Sequence, residues 1–556
     1  MKKTLLISTA IAACFNTANA LAIDTDDKNI TSPVTSSIET TGNIDISSDV
    51  TINSDEEEGI VQQYADETLQ SSRHLTITDG NISLSQGSGI YAEGLHNQYN
   101  QKSADINILG GNITITDGGE IDLVGTGNLN IEGGTILMDY ANVQEDNSHD
   151  GGILHEGKQG NINLKGGTLN LTGSVAKIER SGYDGDWVYD AEGTPLFNID
   201  ELYNDNGSIN TEKYNAAVEY YGQATVDGYL ADGNTASKYH PSTGDINITG
   251  STINLNNGAA IKMSSLHSGD INITKGAINA SNPSADNLDY STHAISHLGV
   301  GDINLSGGTV SLNSSDITKG LHNGKSNQLS GDVNISGNVN LFIQNDSHIN
   351  AANAVNISGG NVTLTDGSID SYGDLNISGG KITLYGDESG LSSHLVSGNV
   401  NVTGGDITLN GTSGMGRGAN FDSDFDLNDF GDKISGDVNI SGSKITINNN
   451  SALIAGRISE ELNNIKTEHN INISDKADIT LNDNARLGLS AFDMQLTQDA
   501  DVSGALNILG GKVTLNDEAS LVGDYFSSKI KVSGGDRKST RLNSSHTQKS
   551  RMPSSA

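Results

Sequence analysis

The chain has 556 residues, of which 31 are basic and 69 acidic, so its formal net charge at pH 7 is −38. A surface this acidic repels nucleic acid and anionic membranes, which excludes both as partners. Only 34% of the residues are hydrophobic and 4% aromatic. That is too little for a large globular core, although a thin, stacked core tolerates it.

The first 20 residues have the pattern of a secretory signal peptide. Two lysines form a basic start, residues 5–13 are apolar, and Ala18 and Ala20 supply the small side chains of a cleavage site. The sequence therefore predicts export, with cleavage after Ala20. In an alternative interpretation Cys14, the single cysteine, is the lipid-bearing residue of a lipoprotein, but the apolar run before it is short for that purpose.

Residues 21–72 are predicted to form an N-terminal leader and the first irregular rungs. A single phrase then recurs through residues 73–179 and 244–535: Gly-Asp-Ile-Asn-Ile-Ser-Gly-Gly-x-Ile-Thr-Leu. Each copy contains two short segments in which apolar residues alternate with Asn, Thr or Ser, the period of a strand with one buried face. One copy cannot bury its apolar face alone, so copies must stack on their neighbours.

The spacing between copies is roughly 20 to 38 residues, typical of a solenoid. It predicts an all-β fold, a right-handed parallel β-helix of about 14 or more rungs with loop excursions. A third strand is visible at residues 88–91, 258–261 and 368–371. Stacked at about 4.8 Å per rung, the copies would form a rod on the order of 65 Å long. The outward asparagines of the first segment would stack as an amide ladder. They include Asn107, Asn247, Asn334, Asn376 and Asn439.

A β-hairpin is the competing interpretation of the repeated phrase, because two strands joined by Gly-Gly also fit a two-residue turn. Isolated hairpins are only marginally stable in water. The recurring third strand also has no place in an array of hairpins, so the sequence favours the β-helix.

Residues 180–243 interrupt the repeat and contain eight of the 16 tyrosines and the only tryptophan. Apolar residues at helical spacing over residues 211–222 predict a short amphipathic helix. One interpretation is a small subdomain whose aromatic side chains pack onto the rungs. The other is a ligand site, because Tyr and Trp are preferred at recognition surfaces. The candidate ligand-binding residues are Tyr183, Trp187, Tyr189, Tyr220, Tyr221 and Tyr229.

An acidic segment farther along resembles the start of a calcium-binding loop, with Asp422, Asp424 and Asp426 alternating as in an EF-hand. Leu427 and Lys433 stand where an EF-hand requires Gly and Glu, and the alternative interpretation is a loop packed against the rungs. Calcium is the only cofactor that the sequence suggests. The spacing of His293 and His297 invites a zinc interpretation. However, Leu-His recurs just ahead of several rungs, which indicates an inherited repeat position.

No residue pattern supports catalysis, and the sequence predicts that the protein is not an enzyme. Polysaccharide lyases also use β-helices, with acidic, calcium-binding and basic groups in one cleft. Lysine and arginine are sparse here, and no such constellation stands out. Fold alone cannot decide the matter.

The last segment, residues 536–556, is basic and lacks strand alternation. From Asp536 it resembles the translation of a common sequencing-library adapter, and residues 550–556 fit the continuation of that adapter. We interpret residues 536–556 as a non-native tail and expect the natural chain to continue beyond Gly535.

The export signal, the cysteine-free mature chain and the repeats rich in Gly-Gly, Asn and Thr together resemble the passenger domains of Gram-negative autotransporters, particularly adhesins. The resemblance covers residues 1–535 and is architectural, since no short motif is diagnostic by itself. It implies secretion through a C-terminal outer-membrane β-barrel, which would follow Gly535. It also implies display at the cell surface, or release into the medium.

These observations predict a surface-displayed adhesin: a stiff acidic rod that presents loops to host surface glycans or proteins, with residues 180–243 as the contact site. One alternative is a passive structural or self-association solenoid in which like rods pair side by side. The other is a polysaccharide lyase or hydrolase on the same scaffold.

Overall fold

The computed structural model describes the greater part of the repeats. It covers residues 27–53, 59–62, 73–93, 104–141, 151–156, 159–181, 187–189, 195–198, 243–263, 268–282, 293–299, 301–320, 331–386, 389–393, 398–417, 433–455, 466–489, 501–523 and 527–533, with four further positions between 211 and 218. The predicted signal peptide at residues 1–20 and the predicted non-native tail at residues 536–556 lie outside these residues. The chain comprises two units, Met1–Val362 (unit 1) and Thr363–Ala556 (unit 2).

Unit 1 is a stack of rungs whose strands form three ladders. The first ladder contains Lys28–Ile30, Ile44–Ile46, Arg73–Ile77, Ala104–Ile108, Leu129–Ile131, Ile162–Leu164, Ile246–Ile248, Ile271–Ile273, Ile303–Leu305, Val333–Ile335 and Val355–Ile357. The second contains Val50–Asn53, Asn81–Ser85, Asn112–Thr116, Thr135–Asp139, Thr168–Thr172, Thr252–Asn256, Ala277–Ser281, Thr309–Asn313 and the start of Asn340–Ala351. The third contains Ile38–Thr40, Gly59–Gln62, Gly89–Glu93, Glu120–Val124, Gly151–Glu156, Ala176–Ser181, Ala260–Met263, His293–His297, Asp316–Lys319 and the end of Asn340–Ala351.

Unit 2 repeats the same arrangement. Its first ladder contains Leu375–Ile377, Val400–Val402, Lys433–Ser435 with Val438–Ser441, Lys466–Ser474, Asp501–Ile508 and Ser527–Val532. Its second contains the start of Asn361–Ser371, then Lys381–Tyr385, Asp406–Leu409, Lys444–Ile447, Asp478–Leu481 and Lys512–Leu515. Its third contains the end of Asn361–Ser371, then Gly390–Ser393, Gly414–Arg417, Ala452–Ala455, Arg486–Leu489 and Ser520–Gly523.

Neighbouring strands within each ladder pair in parallel and in register, as where Ile106 lies opposite Leu129 in unit 1 and Val400 opposite Val438 in unit 2. The predicted parallel β-helix, its third strand and its rung number are therefore confirmed. Among the described residues, unit 1 has eleven first-ladder strands and unit 2 has six rungs. The hairpin interpretation is wrong for the described repeats, because the two halves of each phrase belong to different ladders.

The apolar positions of the phrase face the inside of the stack, as the period-2 pattern requires. In the rung that begins at Ala104 each of the three strands contributes two inward side chains, and none is more than 1% exposed. They are Ile106, Ile108, Ile113, Ile115, Ile121 and Leu123. Each such side chain contributes about 1.5–3 kcal/mol when fully buried. A narrow core of this kind needs only six apolar residues in this rung, which is why the low hydrophobic content suffices.

Gly-Gly turns the chain between the first and second ladders. At Gly307 a β-carbon would lie 2.2 Å from the carbonyl oxygen of Thr274, in the preceding rung. Gly308 has a φ of 77° and a β-carbon there would lie 2.5 Å from the carbonyl oxygen of Gly276. Close stacking leaves no room for a side chain, and the left-handed backbone favours glycine. The doublet thus suits close stacking at this corner, although some rungs differ, with Ser251 at the position of Gly308 and Lys275 at the position of Gly307.

The asparagines in the middle of the first-ladder strands form the predicted amide ladder. In unit 1, from Asn130 onward, each Nδ2 donates to the Oδ1 of the preceding rung, for example from Asn304 to Asn272 and from Asn334 to Asn304, both at 2.9 Å. The ladder of unit 2 includes a bond from Asn439 to Asn401 at 3.0 Å. An amide both donates and accepts, so identical residues satisfy one another along the stack.

We expect Gly308→Ala to be far more destabilising than Gly87→Ala. Both glycines have positive φ, 77° and 84°, so both substitutions cost about 1–2 kcal/mol of backbone strain. A β-carbon at Gly87 meets nothing within 4 Å, whereas at Gly308 it would force neighbouring rungs apart. Urea unfolding of the two variants measures the difference. Equal losses of stability would contradict the steric explanation.

We expect Asn304→Asp to destabilise unit 1 at pH 7 more than Asn304→Ala does. Alanine removes two ladder bonds, worth about 1 kcal/mol each. Aspartate still accepts from Asn334, but it removes the donor to Asn272 and places a carboxylate against the Oδ1 of Asn272, which is a repulsive contact. The check is urea unfolding of both variants at pH 7 and at pH 3.5. At the lower pH a protonated aspartate can donate to Asn272 and still accept from Asn334, so Asn304→Asp should become at least as stable as Asn304→Ala; a deficit that persists would argue against the ladder.

Candidate functional site

Insertions enter the stack of unit 1 mainly at one place, the junction between the third ladder of one rung and the first ladder of the next, here called the departure corner. Ile162 pairs directly with Ile246, although 83 residues separate them in the chain. Residues 182–242 are therefore inserted after Ser181, the end of a third-ladder strand, and before the first-ladder strand Ile246–Ile248. The register of the rungs is continuous across the insertion.

The aromatic residues predicted to bind a ligand belong to this insertion. Trp187–Tyr189 pairs antiparallel with Pro195–Asn198, and Thr211, Tyr214, Asn215 and Val218 are helical, in agreement with the predicted helix. The side chains of Trp187 and Tyr189 lie outside the described residues. The same is true of the four other candidates, Tyr183, Tyr220, Tyr221 and Tyr229, so a ligand site here stays a prediction.

Asp422, Asp424 and Asp426, the predicted calcium ligands, also lie outside the described residues and stay a prediction. Within the described parts of the chain, no group of three or more His, Cys, Asp or Glu side chains could hold a metal ion. His297 is engaged in hydrogen bonds to the backbone at Gly269 and Gly299.

Arg180 closes the departure corner at the insertion. Its side chain is fully buried, and Nε, Nη1 and Nη2 donate to the carbonyl oxygens of Gly160, His155 and Thr243 at 3.1, 2.8 and 3.4 Å. Burial lowers the pKa of Arg180 to about 9. Because Arg180 precedes residues 182–242 and Thr243 follows them, one guanidinium ties both ends of the insertion to the same rung.

Two further polar side chains fill the same inward column on successive rungs, where His297 lies opposite Lys319. His297 Nε2 donates to the carbonyl oxygen of Gly269 at 2.8 Å, and its Nδ1 accepts from the N–H of Gly299 at 3.1 Å. This pair of bonds requires the neutral imidazole with its proton on Nε2. Lys319 Nζ donates to the carbonyl oxygen of Gly299 at 2.5 Å.

The charges of this column are strongly affected by burial. Burial and then the neighbouring Lys319 lower the pKa of His297 to about 3, although its bond to the Gly269 carbonyl acts in the opposite direction. Burial lowers the pKa of Lys319 to about 8, and Asp302, Asp332 and Asp270 act to raise it. The repeated phrase did not predict this column. In the sequence the column is marked by a polar residue at an inward-facing position of a third-ladder strand, such as Lys319 in Ile317-Thr318-Lys319.

Four aspartates stack at the entry to the first ladder of unit 1: Asp245, Asp270, Asp302 and Asp332. Each Oδ1 accepts a hydrogen bond from a backbone N–H of the following rung. For example, the N–H of Asp302 donates to the Oδ1 of Asp270 at 2.7 Å. Burial raises the pKa of Asp270; the hydrogen bond from the N–H of Asp302 lowers it, and repulsion from Asp302 and Asp245 raises it. These carboxylates act as caps for the backbone, and Lys319 offsets part of their charge.

The outward face of the second ladder in unit 1 is almost free of charge. From Asn81–Ser85 to the start of Asn340–Ala351 its exposed or half-exposed positions are occupied by Ser, Thr, Asn and Gln, with Ala277, Leu137 and Phe342 as apolar exceptions. Asp139 is the one charged outward side chain that the described strands of this ladder show. An acidic chain thus presents a neutral surface of hydroxyls and amides here.

The second ladder of unit 2 has charges at the same place, in alternating order. Lys381 lies opposite Asp406, Asp406 opposite Lys444, Lys444 opposite Asp478 and Asp478 opposite Lys512. The repeated phrase did not predict this alternation, although the sequence shows it at the first residue of each of these second-ladder strands. A shallow open groove borders it, lined by Asp475–Asp478 and Gly510–Lys512.

Comparisons with protein families, with curated proteins and with solved structures find no match to this chain. Among the described residues there is also no helix with the length and apolar character needed to cross a bilayer. Function therefore has to be argued from the residues and geometry of the chain itself.

We expect His297 to make unit 1 less stable as the pH falls from about 6.5 towards 3. Its pKa is about 3 in the folded chain against an ordinary value of 6.5, so in this range the unfolded chain binds a proton that the folded chain rejects. The effect reaches at most about 1.4 kcal/mol per pH unit.

Urea unfolding of the wild type and of His297→Gln at pH 7 and pH 4.5 measures it. The variant should lose less stability than the wild type over this interval. His348→Gln, at a half-exposed histidine, is the matched control and should follow the wild type. Identical pH dependence in wild type and His297→Gln would rule out a neutral, buried His297.

Proposed function

We propose that this chain is an exported adhesin of the autotransporter-passenger type, which is displayed at the cell surface or released from it and binds host surface glycans or proteins. The observation that supports this most strongly is the neutral polar face of the second ladder in unit 1. The signal-like N-terminus and the repeat type agree with this assignment.

A face with Asp139 as its one charged side chain among the described strands, on an otherwise acidic chain, favours neutral ligands with many hydroxyl groups. Serine and threonine hydroxyls and asparagine amides both donate and accept hydrogen bonds, and so do sugar hydroxyls. Rows of such groups recur on successive rungs, as in Asn170, Asn254 and Asn279, whose amides are bonded in series at 2.7 and 2.9 Å. Fixed groups lose little conformational entropy on binding.

The insertion at residues 182–242 supplies the second element of the proposal. Its tyrosines and Trp187 offer flat apolar surfaces with polar edges, which suit the faces of sugar rings. Arg180 fixes both ends of the insertion to the buried part of unit 1. The sequence between these ends does not follow the repeat. Such a segment can change its ligand without changing the fold.

The test is binding of the purified chain, residues 21–535, to a glycan array and to host cells. We expect replacement of residues 183–242 by a short Gly-Ser linker to lower binding at least tenfold. The matched control is replacement of residues 418–432, which lie between Arg417 and Lys433 in unit 2, by the same linker. A second arm, Thr114→Glu with Ser311→Glu, places charges on the neutral face and should also weaken glycan binding.

The outcomes separate the candidate functions. Loss in the first arm alone assigns binding to the insertion, and loss in the second alone assigns it to the neutral face. No binding by the wild type would contradict the adhesin proposal, and unchanged binding in both arms would contradict both proposed contact sites. Release of shorter glycans during incubation would favour the lyase or hydrolase alternative.

A further inference from the structure

The second ladder of unit 2 presents a flat outward surface of three columns, here called the alternating face. The first column is Lys381, Asp406, Lys444, Asp478 and Lys512. The second column is threonine on all five rungs, from Thr383 to Thr514, and the third is Tyr385 followed by four asparagines. In-register parallel pairing places each member directly above the preceding one, at about 4.8 Å.

The charges of the first column are exposed. The side chains of Lys444 and Asp406 are 65% and 49% exposed, and those of Lys512 and Asp478 are 51% and 46% exposed. Within the chain they form ion pairs of 3.5 Å between Lys444 and Asp406 and of 3.2 Å between Lys512 and Asp478. Exposed ion pairs contribute roughly 0–1 kcal/mol, so they leave the charges free to engage a second partner.

From this order of charges we infer that the alternating face binds the alternating face of a second copy of the chain, with the two stacks antiparallel. A two-fold axis that lies in the interface along the strand direction places each column against the same column of the partner. If the axis passes through a rung, Lys meets Lys and Asp meets Asp. If it passes between two adjacent rungs, every charge within the overlap meets its opposite.

An axis between Lys444 and Asp478 illustrates the matched register. Lys444 then faces the Asp478 of the second copy, and Asp406 faces its Lys512, each pair occurring twice by symmetry. Lys381 lies beyond the overlap in this register, whereas each of the other four charges meets an opposite charge across the interface in addition to its opposite neighbours in its own column. The threonine columns meet in the middle, where their hydroxyls can donate and accept without charge.

The same order of charges disfavours other occupants. A linear polyanion would meet Asp406 and Asp478 between the lysines, and a polycation would meet the lysines between the aspartates. A copy of the chain carries the complementary order because it carries the same order, displaced by one rung. Electrostatic complementarity of this type sets the register and suppresses wrong partners more than it raises affinity.

The size of the face indicates how tight the contact is. Five rungs at about 4.8 Å and strands of about five residues at 3.3 Å give an area on the order of 300 Å² per copy. A stable interface buries about 800 Å² per partner. The pairing is therefore weak for isolated molecules, and becomes effective when many copies are held on opposing surfaces.

A charge-swap experiment tests the inference with the chain of residues 21–535. The plus variant carries Asp406→Lys and Asp478→Lys, and the minus variant carries Lys381→Glu, Lys444→Glu and Lys512→Glu. Sedimentation velocity at high protein concentration reports association. We expect the wild type to associate reversibly and less at 0.5 M salt. Each variant alone should stay monomeric, and an equimolar mixture of the two should associate.

The mixture also controls for folding, because misfolded variants would not regain a specific association. Lys28→Glu, Lys165→Glu and Lys275→Glu in unit 1 change the net charge as much as the minus variant does, and should leave association unchanged. A monomeric wild type, variants that associate like the wild type, or a mixture that remains monomeric would each overturn the inference. Because none of these results depends on glycan binding, the proposed adhesin function stands or falls separately.

Discussion

In-register parallel stacking is the constraint on which the described structure depends. Within each unit, the neighbours of a side chain above and below are the equivalent residues of adjacent rungs, at about 4.8 Å. The stack therefore favours residues that pack well against, or form hydrogen bonds with, an identical residue. Isoleucine packs on isoleucine inside, asparagine bonds to asparagine in the amide ladder, and glycine at Gly307 and Gly308 leaves room for the carbonyls of the preceding rung.

Charge is the one property that such stacking amplifies unfavourably, and the two units accommodate it differently. In unit 1 the column from Asp245 to Asp332 offsets like charges with backbone N–H donors and with the buried cation of Lys319. In unit 2 the column from Lys381 to Lys512 alternates in sign, so that each charge has opposite neighbours. In unit 1 these charges are offset by groups within the fold, whereas in unit 2 they remain exposed at the surface.

The sequence predicted what is local and periodic. Period-2 alternation and the repeated Gly-Gly were enough for the rungs, the third strand and the amide ladder, because stacking makes neighbours of equivalent residues. It did not predict the roles of Arg180, His297 and Lys319, since these depend on glycine carbonyls 20 to 28 residues away in the chain. The aromatic and acidic candidates lie in segments that carry no repeat. Nothing in the periodicity constrains where their side chains lie.

Equivalent positions of the second ladder in the two units show which residues the fold requires. The first outward position of the second ladder is Asn112, Thr135, Thr168 and Thr252 on rungs of unit 1, all uncharged, and these rungs stack in the same parallel register as those of unit 2. Lysine and aspartate at this position in unit 2 are therefore not needed for stacking. Exposed ion pairs add little stability. Alternation avoids the stacking of like charges, but this requirement does not explain why charges occupy the column at all. The self-recognition that we propose accounts for both the charges and their order, because alternation is the simplest order of charge that a two-fold axis between rungs converts into its complement.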